Sequence, residues 1–242
     1  MKTTFLIGLI AIRAGLLCAA DSDAKDKLTD AARKLRDQSN YSWTTSTKEA
    51  DGSPGRLSNI EGKSEKDGLT YLSFSVGGVP VEVFLKGTNG AAKALEGWMT
   101  LDEIAQTSGT AAAVVRYLRG YKTPAAQSAE LIGNINTVAQ EGVVLTSDLK
   151  DQAIREILLI GVRRRDGEEP PKIEGAKGAG RFWIEEGNLS KYEVQAQGKV
   201  SAGDRVTDID RTMTVKIKDV GSTRLEVPDE ARQKLLATAQ GK

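Results

Sequence analysis

Few residues here could do chemistry, and the most informative is one that is missing: the 242 residues include no His and a single Cys, Cys18. Without imidazole a chain has no Ser-His-Asp or Cys-His nucleophile and no His-ligated zinc site. Gly62-Lys63-Ser64 imitates the end of a phosphate-binding loop, but that motif needs Gly at position 57, where Leu57 stands, and a helix beginning at the Lys. Asp67-Gly68 ends the segment as a turn instead, so nucleotide binding is not expected. Ser147-x-x-Lys150 has the spacing of penicillin-recognising enzymes, yet it doubles as a helix cap and its companion motifs are missing. The acidic pairs Asp208/Asp210 and Glu185/Glu186 could be offered as a glycosidase acid and base. Residues two apart on a strand have Cβ atoms about 7 Å apart on a wet face, with nothing to raise one pKa. They read as solvated strand surface, and catalysis is not expected.

Three further features each carry two readings. Arg163-Arg164-Arg165 is the one dense basic cluster, at the end of a predicted helix and followed by Asp166, Glu168 and Glu169. It either complements the helix C-terminal partial charge or contacts anionic headgroups or an acidic partner. Trp43, Trp98 and Trp183 are the indoles; by parity with Phe182 and Ile184, Trp183 faces outward or toward an overlying loop. Arg211 falls on the apolar face of Ile209, Met213 and Val215, where it either snorkels at a rim or holds an anionic group. The sequons at Asn40 and Asn188 would matter only in a eukaryotic secretory pathway.

The chain opens with Met1-Lys2, an apolar run from Phe5 to Ile12 and small residues up to Cys18-Ala19-Ala20, then turns polar at Asp21. This predicts a secretory signal, residues 1–20, cleaved after Ala20, and a periplasmic or secreted protein. The run is too short for a membrane span, which needs about 20 apolar residues. A lipoprotein signal with Cys18 acylated is the rival, although Leu16 and Leu17 stand where a lipobox favours small residues. Cleavage removes Lys2 and Arg13 from 34 basic residues and none of the 33 acidic ones, leaving a net charge of −1. Nucleic acid is therefore not an expected partner. A chain with neither Cys nor His has no disulfide or soft-metal site, no cofactor is implied, and core burial alone holds it.

Residues 21–38 carry Leu28, Ala31, Ala32 and Leu35 at helical spacing. From Tyr41 the period becomes two, and the turn signals Asp67-Gly68 and Gly77-Gly78 divide residues 41–86 into an antiparallel meander. Ala111 to Leu118 predicts a short helix. A second starts at Thr123-Pro124 with Leu131, Ile135 and Val138 as its stripe, and a third at Thr146-Ser147-Asp148 with Ile154, Ile157 and Leu158. Asp166 to Gly180, with two Pro and four Gly, reads as a loop or hinge. Strands then return: Tyr192, Val194, Ala196 and Val200 share one face, and Ile209, Met213, Val215 and Ile217 another run's. A short helix from Asp229 to about Ala239 closes the chain. Strands, helices, then strands is an α+β order, with one wet sheet face and one that the helices must cover.

That order, with the export signal, the meander Tyr41 to Lys86, the hairpin Phe182 to Val194, the Gly142 to Ala153 strand-to-helix passage and the close Val220-Gly221 and Leu225-Glu226-Val227-Pro228, resembles the periplasmic lipoprotein carriers LolA and LolB and the mycobacterial LppX/LprG lipoproteins. The resemblance covers most of residues 40–240. It implies a single domain over 21–242, a curved antiparallel half-barrel with helices on its concave side, and a non-enzymatic carrier of lipid or acylated protein. The lining it implies is Phe74, Val81, Val83, Phe182, Ile184, Tyr192, Val194, Met213, Val215 and Ile217. Binding would be partition of acyl chains into a dry cavity. The same ten residues could instead be a filled core, in which case the protein is an envelope scaffold whose partner is another envelope protein.

Overall fold

A computed structural model describes residues 14–49, 51, 53, 59–94, 97–107, 111–160, 162 and 169–240. The apolar run of residues 5–12, Pro54, Gly55 and the cluster Arg163-Arg164-Arg165 lie outside them. The expected cleavage point after Ala20 falls within the first helix, α1 (Ala14–Arg36). Among the described residues no helix is long and apolar enough to cross a membrane.

Eleven strands among the described residues form one open antiparallel sheet, and the chain lays them down in two passes. The first runs outward from the centre: β1 (Asn40–Glu49), β2 (Ile60–Glu65), β3 (Leu69–Val76), β4 (Val79–Lys86), β5 (Asn89–Ala94) and β6 (Gly97–Thr100). Helices α2 (Leu101–Ala105), α3 (Ala111–Arg119) and α4 (Pro124–Gly133) then carry the chain to the opposite edge. The second pass returns to the centre through β7 (Ile135–Glu141), β8 (Val144–Leu149), helix α5 (Asp151–Leu158), β9 (Lys172–Glu185), β10 (Asn188–Ala202) and β11 (Arg205–Lys218). Pairing of β1 with β11, from Ser42 opposite Lys218 to Glu49 opposite Arg211, joins the two passes. Helix α6 (Asp229–Gln240) closes the described chain.

Helices α1 to α5 and one face of the sheet share a single hydrophobic cluster. Helix α1 contributes Ala24, Leu28, Ala31, Ala32 and Leu35, spaced so that they form one stripe. The outer face is wet where the sequence predicts it, along Gln195, Gln197, Lys199, Lys216 and Lys218. It is not wet throughout, because α6 packs there, seating Ala231 against Phe84 and Ala91 with Trp98 beside them.

Three expectations change. Helix α4 ends at Gly133, and Ile135 and Val138 belong to β7. A bulge between them puts residues three apart on the same face, which is why the strand imitates a helical stripe. Thr146, Ser147 and Asp148 lie in β8, and α5 begins only after Lys150. The glycine-rich stretch is strand β9 from Lys172 onward rather than a hinge. Its glycines make room: a Cβ on Gly178 would lie 2.9 Å from Ile154 Cγ1, and one on Gly198 of β10 would lie 2.9 Å from Leu158 Cδ1. Helix α5 thus rests on a floor without side chains. Strands β5 and β6, and a capping box in which Glu103 N–H donates to Thr100 and Glu103 accepts from Thr100 N–H, extend the first pass beyond the predicted meander.

Gly62, the glycine of the phosphate-loop imitation, has a similar role. It sits opposite Trp43 in the β1–β2 ladder, and the indole lies across it; a Cβ there would be 2.7 Å from Nε1 and closer still to the ring carbons. Gly62→Ala is expected to destabilise the protein by about 1–3 kcal/mol through overpacking. The check is the midpoint of urea unfolding, and an unchanged midpoint would contradict the Trp43–Gly62 packing.

Candidate functional site

The ten residues named from the sequence lie on the covered face, in or against the one cluster: Phe74 on β3, Val81 and Val83 on β4, Phe182 and Ile184 on β9, Tyr192 and Val194 on β10, and Met213, Val215 and Ile217 on β11. Eight are buried, and Val81 and Ile184 are partly so. Between the two groups stand β1 and β2, whose Trp43, Thr45 and Ile60 complete the surface. Trp43, read from the sequence only as one of three indoles, is at the centre.

Above it runs a seam of hydroxyl and amide contacts between sheet and helices. Trp43 Nε1–H donates to Tyr121 OH at 3.1 Å, and Tyr121 stacks on the indole with ring centroids 6.5 Å apart. Tyr41 OH accepts from the Ala125 backbone N–H of α4 at 3.3 Å, and Tyr192 OH donates to Gln127 Oε1 at 2.6 Å. Tyr117 of α3 meets Tyr121 edge-on. Burial raises the pKa of Tyr41, Tyr117, Tyr121 and Tyr192 above the ordinary value of 10, because the interior disfavours phenolate; neighbouring tyrosines add to this at Tyr121 and Tyr192. Buried Tyr hydroxyls need partners, so these contacts also fix where α3 and α4 sit.

Two cavities bear on the site. One, of about 210 Å³, lies where α1 ends, β1 begins and α4 begins, with Tyr41, Asn40, Thr123 and Ala126 in its wall. The other, about 440 Å³ and open to solvent, lies beside the β9–β10 bulge among Lys177, Lys199, Asp208 and Asp210. None of the ten residues lines either one.

No protein-family profile and no curated protein sequence matches this chain. The crystal structure of the Mycobacterium tuberculosis lipoprotein LppX aligns with 85% of this chain and 98% of its own, with a TM-score of 0.50 at 9% identity. The fold is LppX-like. LprF from Mycobacterium bovis aligns with 87% of this chain and 98% of its own, at TM-score 0.45 and 11% identity. A LolA-superfamily protein from Nitrosomonas europaea covers 85% and 95% respectively, at TM-score 0.31 and 9% identity.

Elsewhere on this LppX-like sheet the polar candidates have structural partners. Ser147 Oγ donates to Asp148 O, while Lys150 Nζ donates to Gly133 O, so the two do not form a nucleophile pair. Asp208 pairs with Lys199, Asp210 accepts from Gln195, and Glu186 forms the β9–β10 turn at φ 51°. Among the described residues no cluster of His, Cys, Asp and Glu could hold a metal. Arg211, at the end of the β1–β11 ladder with its side chain 15% exposed, holds Glu49 at 3.0 Å and the carbonyls of Ile157 and Ile160, tying the end of α5 to the sheet. Trp183 faces outward as its parity predicts, with Lys191 Nζ 3.8 Å over its ring.

The tyrosines give a pH test. Their pKa is raised by folding, so the stability they contribute is intact below pH 10 and is lost as pH climbs above it, where the unfolded chain ionises first. Unfolding free energy should be insensitive to tyrosine below pH 10 and fall above it, with most tyrosinate absorbance appearing only on unfolding. Smooth titration of all five tyrosines in folded protein near pH 10 would contradict the buried seam.

Proposed function

We propose that this is an exported, non-enzymatic protein, cleaved after Ala20, that binds the acyl chain of a lipid or acylated protein between α3–α4 and the covered sheet face. The observation carrying this reading is how the α3–α4 crossover is attached. It lies over a continuous apolar surface, is located by three hydrogen bonds to Tyr41, Trp43 and Tyr192, and is undercut at one end by the 210 Å³ cavity. Each such bond contributes about 1 kcal/mol net, whereas a chain of about twelve carbons gains about 0.8 kcal/mol per buried CH₂. A bound chain can thus offset the loss of the seam contacts and lie against Phe74, Val83, Phe182, Val194 and Val215. Likeness of fold to LppX, and the resemblance to lipoprotein carriers, supports the same reading. The step is partition, with no covalent chemistry and no cofactor.

Close packing of the ten residues favours a second reading, a filled core serving an envelope scaffold with no small ligand. Native mass spectrometry and thermal unfolding with monolauroylglycerol separate the two. Binding predicts a one-to-one adduct and about 2.7 kcal/mol of stabilisation at a hundredfold excess over Kd. An apo mass alone, with unchanged stability, would overturn carriage in favour of the scaffold.

A further inference from the structure

We infer that α6 is a clasp for the crossover: seated on the outer face of the sheet, it holds the crossover's first helix, and its release loosens the segment that must open for an acyl chain. For that consequence the inference rests on the acyl-binding reading, and it names what controls the opening. The two helices lie on opposite faces. Leu101, the first residue of α2, belongs to the covered-face cluster, and a Cβ on Gly90 of β5 would lie 2.9 Å from its Cδ1, so the strand is bare where α2 is seated. On the outer face Ala231 of α6 is fully buried against Phe84 and Ala91, and Ala91 is the residue after Gly90 with the opposite parity. Lys234 of α6 and Glu103 of α2 meet where β6, the edge strand, runs into α2, with Nζ 2.8 Å from Oε1 and 3.0 Å from Oε2.

Glu103 has two uses. Its Oε2 accepts from the Thr100 N–H at 2.7 Å while its own N–H donates to Thr100 Oγ1 at 3.1 Å, so the carboxylate that α6 holds is also the one that starts α2. The residue before it, Asp102, accepts from Arg119 at the end of α3, which carries the contact from α6 through α2 into the cover. Helix α6 itself is lightly seated. Among its described side chains only Ala231 is buried; Leu235 packs partly against the outer cluster, and Leu236 is 59% exposed. An element with so few buried apolar contacts opens at less cost than the core does. Its departure bares Tyr71, Phe84 and Trp98, a row of rings with centroids 5.1 and 5.5 Å apart, and burying them again draws the helix back.

Amide exchange of the full chain and its variants tests the clasp. Glu103→Gln is the selective change, because Gln at the third helical position still completes a capping box while the charge pair is lost. In E103Q and in K234Q, amides of residues 103–106 and of α6 should both exchange about threefold faster, the scale of a partly exposed ion pair, since coupling between two elements is reciprocal. The double variant should add nothing to either single one. A231D, which sets a charge against Phe84 and Ala91, should free α6 and speed residues 103–106 although Lys234 is unaltered. Unchanged exchange of 103–106 in K234Q, or in A231D while α6 exchanges freely, would overturn the clasp. The association rate of monolauroylglycerol, followed by tryptophan fluorescence, tests the consequence: it should rise about threefold in K234Q, as the open fraction does. Coupled exchange with an unchanged rate would overturn control of the opening. Coupled exchange with no lipid bound by any variant would overturn acyl binding and leave the clasp standing.

Discussion

An open antiparallel sheet with one apolar face must have that face covered, and here the connectivity supplies the cover. Because the first pass ends at the β6 edge and the second begins at the β7 edge, the chain between them must cross the sheet. Segment α2–α4 makes that crossing, and the shared core shows that it crosses the apolar side. The β1–β11 ladder is what makes this one sheet rather than two, pairing residues 42–49 with 211–218 across nearly the whole described chain. Trp43 stands in that ladder, opposite Ile217 on one side and Gly62 on the other.

The covering helices are not all held alike. Helix α1 buries an aliphatic stripe, and α5 lies on the glycine floor of β9 and β10 with its end tied by Arg211. Those are close-packed contacts, which tolerate little displacement. The α3–α4 segment buries Val115, Leu118, Ala125, Leu131 and Ile132 in the same cluster and is held in addition by ring edges and hydroxyls, whose hydrogen bonds can be exchanged for others at small net cost. Polar contacts of this kind fix position without large stabilisation. Tyr41, whose hydroxyl accepts from the Ala125 N–H, also forms part of the wall of the adjoining cavity.

The parts of the fold legible in the sequence were those with clean periodicity. The hairpins at Gly68 and Gly77-Gly78 and the alternation from Tyr192 to Val200 stand as read, and the helix expected over residues 21–38 runs over Ala14–Arg36 with the same apolar stripe. Legibility failed where a glycine or a bulge changed the meaning of a pattern. Ile135 and Val138 look helical because a bulge restores their common face, and Gly178 and Gly180 look like a hinge although they clear space under α5 and Phe182. Strand parity gathered the ten apolar residues correctly on one surface. It could not reveal the seam, since Tyr121 lies in the α3–α4 loop and Gln127 on a helix, and their meeting with Trp43 and Tyr192 depends on how the crossover is laid. Arg211 was visible as a parity violation, but its partners, Glu49 and the carbonyls at the end of α5, are 51 to 162 residues away in sequence.

The proposed function requires α3–α4 to separate from the sheet while the rest of the core stays closed. Native-state hydrogen exchange across a denaturant series measures this directly. Acyl binding beneath α3–α4 predicts that amides of residues 111–133 exchange through an opening well below the global unfolding free energy, and that monolauroylglycerol slows them selectively, while β1, β10 and β11 exchange only on global unfolding. Exchange of 111–133 together with those strands, at the global free energy and unaffected by the lipid, would contradict it.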